Sequence, residues 1–191
     1  MNQTANFGLN QWVAEDRIMM QDFNSDNAKL DAALKAIADA NPYRKIISVV
    51  TQTAAQQIDL VVSGIDFTQY YKIELFVDCP TMTNGYLLRV NGISASSYIY
   101  NQISGSASGG SSTFSFLANI YGRGTGAVLF YSPAAAARVG CVYMTSDVAA
   151  YNGLQTLAPL YWPELTAFNI VGGSSSTLPA GTKITLLGVK K

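Results

Sequence analysis

The chain has 191 residues, enough to bury a full core as one domain with an appendage. Charged residues make up 13%, against about 25% in ordinary globular domains, and the formal net charge is zero, which argues against nucleic acid or an anionic membrane as partner. There is no histidine, which removes the commonest general base, the Ser-His and Cys-His nucleophile pairs, and imidazole metal sites.

Residues 1–21 show no regular period and are expected to form an extended arm. The opening "MNQTANFGLN" lacks the basic and apolar regions of a signal peptide, and no apolar run approaches the ~18 residues of a membrane span. Synthesis in a reducing cytoplasm is therefore expected, with Cys79 and Cys141 as buried free thiols.

A helix is predicted over 22–41. Asp22 or Asn24 can cap its first turn, and "AALKAIADA" is dense in the best helix former. Asp31 and Lys35 stand four apart, acid first, the stabilising orientation. Asn41-Pro42 ends the helix, because the residue before a proline is pushed out of the helical region. Phe23, Asn27, Leu30, Leu34 and Ile37 follow one another at coiled-coil spacing, with Asn27 a polar position able to fix register and strand number. The same stripe also suits an amphipathic helix lying on its own β domain, and about two heptads do not separate the two.

From residue 42 to 191 the period changes to two. "KIISVVTQ", "QIDLVVSG", "YYKIELFVD", "YLLRVNG", "STFSFLANI", "AVLFYS", "RVGCVYMTS", "TAFNIVGG" and "KITLLGV" are rich in β-branched and aromatic residues. Turn formers separate them: Asn84-Gly85, expected to close a hairpin, Asn91-Gly92, Gly122 to Gly126, and Gly172-Gly173. Short strands with no intervening helical pattern predict a mainly β fold, an antiparallel, jelly-roll-like sandwich preceded by one helix. Ser104 to Ser112, "SGSASGGSS", is expected to be a mobile loop.

"EDRIMMQDFNSDNAKLDAALKAI" resembles a segment near the N-terminus of bacteriophage tail-fibre and receptor-binding proteins. The matching elements are Asp16-Arg17, Asp22-Phe23-Asn24, Asp26-Asn27 and Leu30 to Leu34. The β part is similar to their head domains in Tyr70-Tyr71-Lys72-Ile73, in Leu87 to Gly92, in Tyr98 and in the closing "LPAGTKITLLGVKK". The resemblance implies a homotrimer tied together by Phe23, Asn27, Leu30, Leu34 and Ile37. It implies a virion component assembled in the host cytoplasm, joined to other virion proteins through the arm and attaching to a host surface glycan or protein. A purely structural role, as a head fibre, decoration or adaptor protein, is the other expectation.

Chemistry has few handles. The acids of the β part form no paired motif of the kind glycosidases need, and Asp59 and Glu74 alternate as outward, solvated strand positions would. No GxSxG or SxxK occurs, and "YGRGTGAV" lacks the Gly-Lys-Ser/Thr ending of a phosphate loop. No enzyme activity, catalytic residue, metal or cofactor is expected. Aromatic side chains remain: Tyr161 and Trp162 between Pro159 and Pro163, and Tyr121 with Arg123 in the glycine-rich turn, are candidate receptor-binding residues. Trp162 could instead plug the core. Tyr98, Tyr100, Tyr121 and Tyr151 could line a groove. Phe7 and Trp12 of the arm are candidates for docking onto a neighbouring particle protein or subunit.

Overall fold

A computed structural model describes residues 2–17, 19–79, 85–102, 111–120, 124–131, 133–144, 154–173 and 176–191. It divides into two compact units, Met1–Pro42 and Tyr43–Lys191.

In the first unit the arm is folded rather than extended. Strands β1 (Asn2–Gln3) and β2 (Asn10–Gln11) pair antiparallel. The reversal between them uses Gly8 at φ +60, a conformation glycine adopts without steric cost. Helix α1 spans Met20–Ala40 with Met19 as N-cap and Asn41 as C-cap, so the Asn41-Pro42 stop holds. Asp22 sits three positions inside and accepts the Met19 N–H at 3.3 Å, serving the helix start from within instead of capping it. Lys35 pairs with Asp39 at 2.9 Å, where the spacing had suggested Asp31; both partners are largely exposed, so either pairing contributes only about 0.3–0.5 kcal/mol.

The arm is held to α1 by Asp26. This carboxylate accepts the Asn10 backbone N–H at 2.9 Å and lies 3.5 Å from the Lys29 ammonium, which also donates to the Gly8 carbonyl. Those partners explain how an acid can be buried here.

The second unit is mainly β, in two antiparallel sheets packed as a sandwich. Its strands are β3 (Tyr43–Val50), β4 (Gln57–Val61), β5 (Tyr70–Cys79), β6 (Tyr86–Val90), β7 (Tyr98–Gln102), β8 (Ser111–Phe114), β9 (Ala118–Ile120), β10 (Gly124–Tyr131), β11 (Arg138–Met144), β12 (Leu154–Tyr161), β13 (Ala167–Gly172) and β14 (Lys183–Lys190). Sheet order is β3-β14-β5-β10-β11-β12-β7-β8 against β4-β13-β6-β9.

Setting aside β7, β8, β11 and β12 leaves β3-β14-β5-β10 facing β4-β13-β6-β9. Numbered in chain order, these eight strands run 1-8-3-6 and 2-7-4-5, the interleaved order of a jelly roll. Two insertions, β7–β8 between β6 and β9 and β11–β12 between β10 and β13, extend the first sheet to eight strands.

Alternation puts Ile73, Leu75, Val77, Val128, Phe130, Ile184 and Leu186 of the large sheet inward, against Leu60, Leu88, Val90, Phe168 and Ile170 of the small one. Each such side chain contributes roughly 1.5–3 kcal/mol through burial.

Several expectations are corrected here. Strands β5 and β6 lie in different sheets, so Asn84-Gly85 closes no hairpin between them. The chain crosses from one sheet to the other here because the interleaved order places β5 and β6 in opposite sheets. Ser111 and Ser112 belong to β8, opposite Asn101 and Tyr100, rather than to the expected loop; 103–110 lie outside the described residues. Glu74 holds an outward position yet is buried, paired with Lys72 at 2.6 Å. Its cross-strand neighbours Leu187 and Leu129 are large enough to cover it.

Candidate functional site

Two places gather the residues singled out from the sequence, one in each unit. On α1 the stripe is open: Phe23 is 49% exposed, Leu30 40%, Leu34 65% and Ile37 64%, with Asn27 exposed between them. An apolar row of this length on a water-exposed helix leaves burial free energy unrealised. Trp12 is half-buried, its ring 5.0 Å from Phe23, so the arm covers part of the first seam position from within its own chain. Phe7 remains exposed.

In the second unit, Tyr43↔Val189, Tyr131↔Lys72 and Arg138↔Tyr161 mark one end of the large sheet. At the other end stand Cys79↔Gly124, Leu154↔Gln102 and Asn101↔Ser111. Tyr121 and Arg123 lie outside the described residues, and their neighbour Gly124 is at the second end. Tyr161 and Trp162 are at the first.

Tyr161 is 44% exposed, opposite Arg138, whereas Trp162 is 3% exposed. The indole packs against Phe67 (5.2 Å between centroids) and edge-on to Phe130 (5.8 Å), and Phe130 meets Phe168 at 5.1 Å. Trp162 thus plugs the core, and its ring offers almost no face to a ligand. Tyr98 is also buried, its hydroxyl donating to the Ile93 carbonyl at 2.9 Å, so it cannot line a groove. Tyr151 and the Tyr100 side chain lie outside the described residues.

Beside Trp162 is a pocket of about 300 Å³, lined by Gly64, Ile65, Asp66, Phe67, Thr68, Trp162, Pro163 and Leu165. Two short 3-10 turns build it, Phe67–Gln69 and Trp162–Glu164. Asp66 caps the first: its Oδ1 accepts the Thr68 N–H at 3.0 Å and the Thr68 hydroxyl at 2.5 Å, and its Oδ2 accepts the Gln69 amide at 3.2 Å. These donors, the Thr68 hydroxyl foremost, hold its carboxyl below the usual range. Proline inside the second turn fixes its backbone, and Glu164 accepts the Tyr161 N–H at 2.7 Å.

The turns are braced from behind. Asn91, in the left-handed region at φ +50, accepts from Thr166 N, Thr166 Oγ1 and Ala167 N at 2.8, 3.0 and 3.1 Å. It also donates to the Glu164 carbonyl at 2.7 Å. Lys191 Nζ donates to the Thr68 carbonyl at 2.7 Å.

Sequence reasoning reached part of one wall of this pocket, Trp162 and Pro163, and missed the other, Gly64 to Thr68. The missed signal was Asp66 two residues before Thr68, an acid followed by a hydroxyl in the spacing of a capped turn. No family model, curated protein or solved structure matches the chain.

Proposed function

We propose that this chain is a homotrimeric virion fibre or receptor-binding protein whose sandwich head attaches the particle to the host surface. The observation that carries this reading is the exposed stripe of Leu30, Leu34 and Ile37 on α1, with Asn27 among them. Three copies of the helix around an axis would bury such a row. The jelly-roll unit supplies a compact head with few charges, nine basic and six acidic residues over 43–191, and the folded arm, with Phe7 exposed, supplies a surface for a neighbouring virion protein.

Two assays test the proposal together. Mass spectrometry of purified particles should detect the chain, and the purified chain, added in excess, should block particle adsorption to host cells. A chain present in particles that does not compete is a structural component; a chain absent from particles ends the virion reading.

A further inference from the structure

We infer that the pocket between the two 3-10 turns binds one neutral, polyhydroxylated unit, a single sugar residue at the end of a glycan. The inference deepens the receptor-binding reading and rests on it for its biological source, but its chemistry is argued from the pocket alone.

The lining mixes apolar side chains, Ile65 and Pro163 with the mostly buried Phe67, Trp162 and Leu165, and the polar groups of Gly64, Asp66 and Thr68. Asp66 alone among the lining residues carries a charge, at the exposed mouth. Its two oxygens are fixed by three donors, yet each carboxylate oxygen can accept more than one hydrogen bond. Oδ1 already takes both Thr68 donors, so the acceptor left for a ligand hydroxyl is on Oδ2, and charge assistance strengthens that bond. A sugar ring has this complementary character, with C–H faces for the apolar wall and O–H groups for the rim.

Charge narrows the class. The Lys191 ammonium, beside the pocket rather than in its lining, donates to the Thr68 carbonyl and partly offsets the Asp66 charge. That balance favours neither an anionic nor a cationic ligand. Size narrows it further, because about 300 Å³ is the lower limit of ordinary ligand pockets. Preformation follows from the bracing: Val62 N–H donates to the Thr166 carbonyl at 2.8 Å, joining the segments that flank the two turns, and Leu165 N–H donates to the Trp162 carbonyl at 3.2 Å. A site that needs no ordering loses less affinity on binding.

The test is a nitrogen-15 shift titration of the full chain with the methyl glycosides of glucose, galactose and N-acetylglucosamine. Choline and inorganic phosphate serve as charged probes. At least one glycoside should give saturable shifts at Gly64 to Thr68 and Trp162 to Leu165, with Kd in the millimolar range, below about 100 mM. Asp66→Asn can keep the Oδ1 cap on Thr68 while removing the charge and the Oδ2 acceptor, and should weaken binding about tenfold. Thr68→Trp should cover the mouth and abolish the shifts. The inference is overturned if no glycoside saturates, if shifts map elsewhere, if a charged probe binds tighter, or if both variants bind as wild type with native spectra. Host adsorption separates this inference from the wider reading. If the wild-type chain blocks adsorption and Thr68→Trp blocks it equally, the pocket is refuted while the adhesin stands.

Discussion

Trp162→Ala tests the placement of the chain's most ambiguous aromatic residue. In the structure its ring is 3% exposed, with Phe67 and Phe130 within 6 Å of its centroid. Replacing a buried Trp or Phe by Ala costs about 3–5 kcal/mol, more where the surroundings cannot collapse. Collapse is restricted here, because Phe130 lies on β10 between β5 and β11, and Phe168 lies on β13 between β4 and β6. Both aromatic contacts would be lost as well, each worth about 0.5–1.5 kcal/mol beyond area, so the upper half of the range, about 4–5 kcal/mol, is expected. With a slope of about 2 kcal/mol per molar urea, the unfolding midpoint should fall by about 2 M. The assay is urea unfolding followed by far-ultraviolet circular dichroism, with Tyr161→Ala as the exposed neighbour, expected to cost under about 1 kcal/mol. A loss below about 1.5 kcal/mol for Trp162→Ala would refute the core assignment and return the ring to the surface.

Three further outcomes follow from the same packing. A Cβ on Gly126 would sit 2.0 Å from the Tyr86 hydroxyl and 2.7 Å from Ile120, so Gly126→Ala should lower stability by about 2 kcal/mol or more in urea melts. Tyr86→Phe should be neutral or slightly stabilising and should partly rescue it, since that hydroxyl has no hydrogen-bond partner among the described residues. Asn91→Gly preserves the left-handed backbone but deletes the bonds to Thr166 and Ala167, and Asn91→Ala loses both; thermal melts should rank wild type above Gly and Gly above Ala. Burial pushes the Cys79 and Cys141 thiols up from their usual range, so neither should form thiolate or react with a disulfide reagent at pH 8 until urea unfolds the chain.

Legibility in the sequence followed the strength of the local signal. All nine period-two runs became strands, because alternating β-branched and aromatic residues specify both the pleat and the buried face. Two strands of the second unit were unread. Strand β12 carries Pro159, which argues against a central strand; the register jump between Arg138↔Tyr161 and Gly140↔Leu157 takes it out of the ladder. Strand β7 reads as tyrosines beside a turn, and only the fold reveals that Tyr98 faces inward.

The run "STFSFLANI" split in two because β8 and β9 belong to different sheets. Pairing between sheets is non-local, so Asn84-Gly85 resembled a hairpin that the topology does not make. In the first unit the long-range bonds of Asp26 to the arm left no periodic trace, and so the arm read as extended. Trp162 illustrates the general difficulty: proline neighbours suit both a rigid display loop and a plug, and only burial distinguishes them.

Sedimentation equilibrium of the full chain at micromolar concentration tests the central claim most directly. The account predicts a species of three times the 20.4 kDa chain mass. Leu30→Asp combined with Leu34→Asp should reduce it to a single chain without loss of β-sheet signal, because carboxylates buried in a three-helix seam would be unpaired. A wild-type chain that sediments as a monomer, or a double variant that remains trimeric, would contradict it.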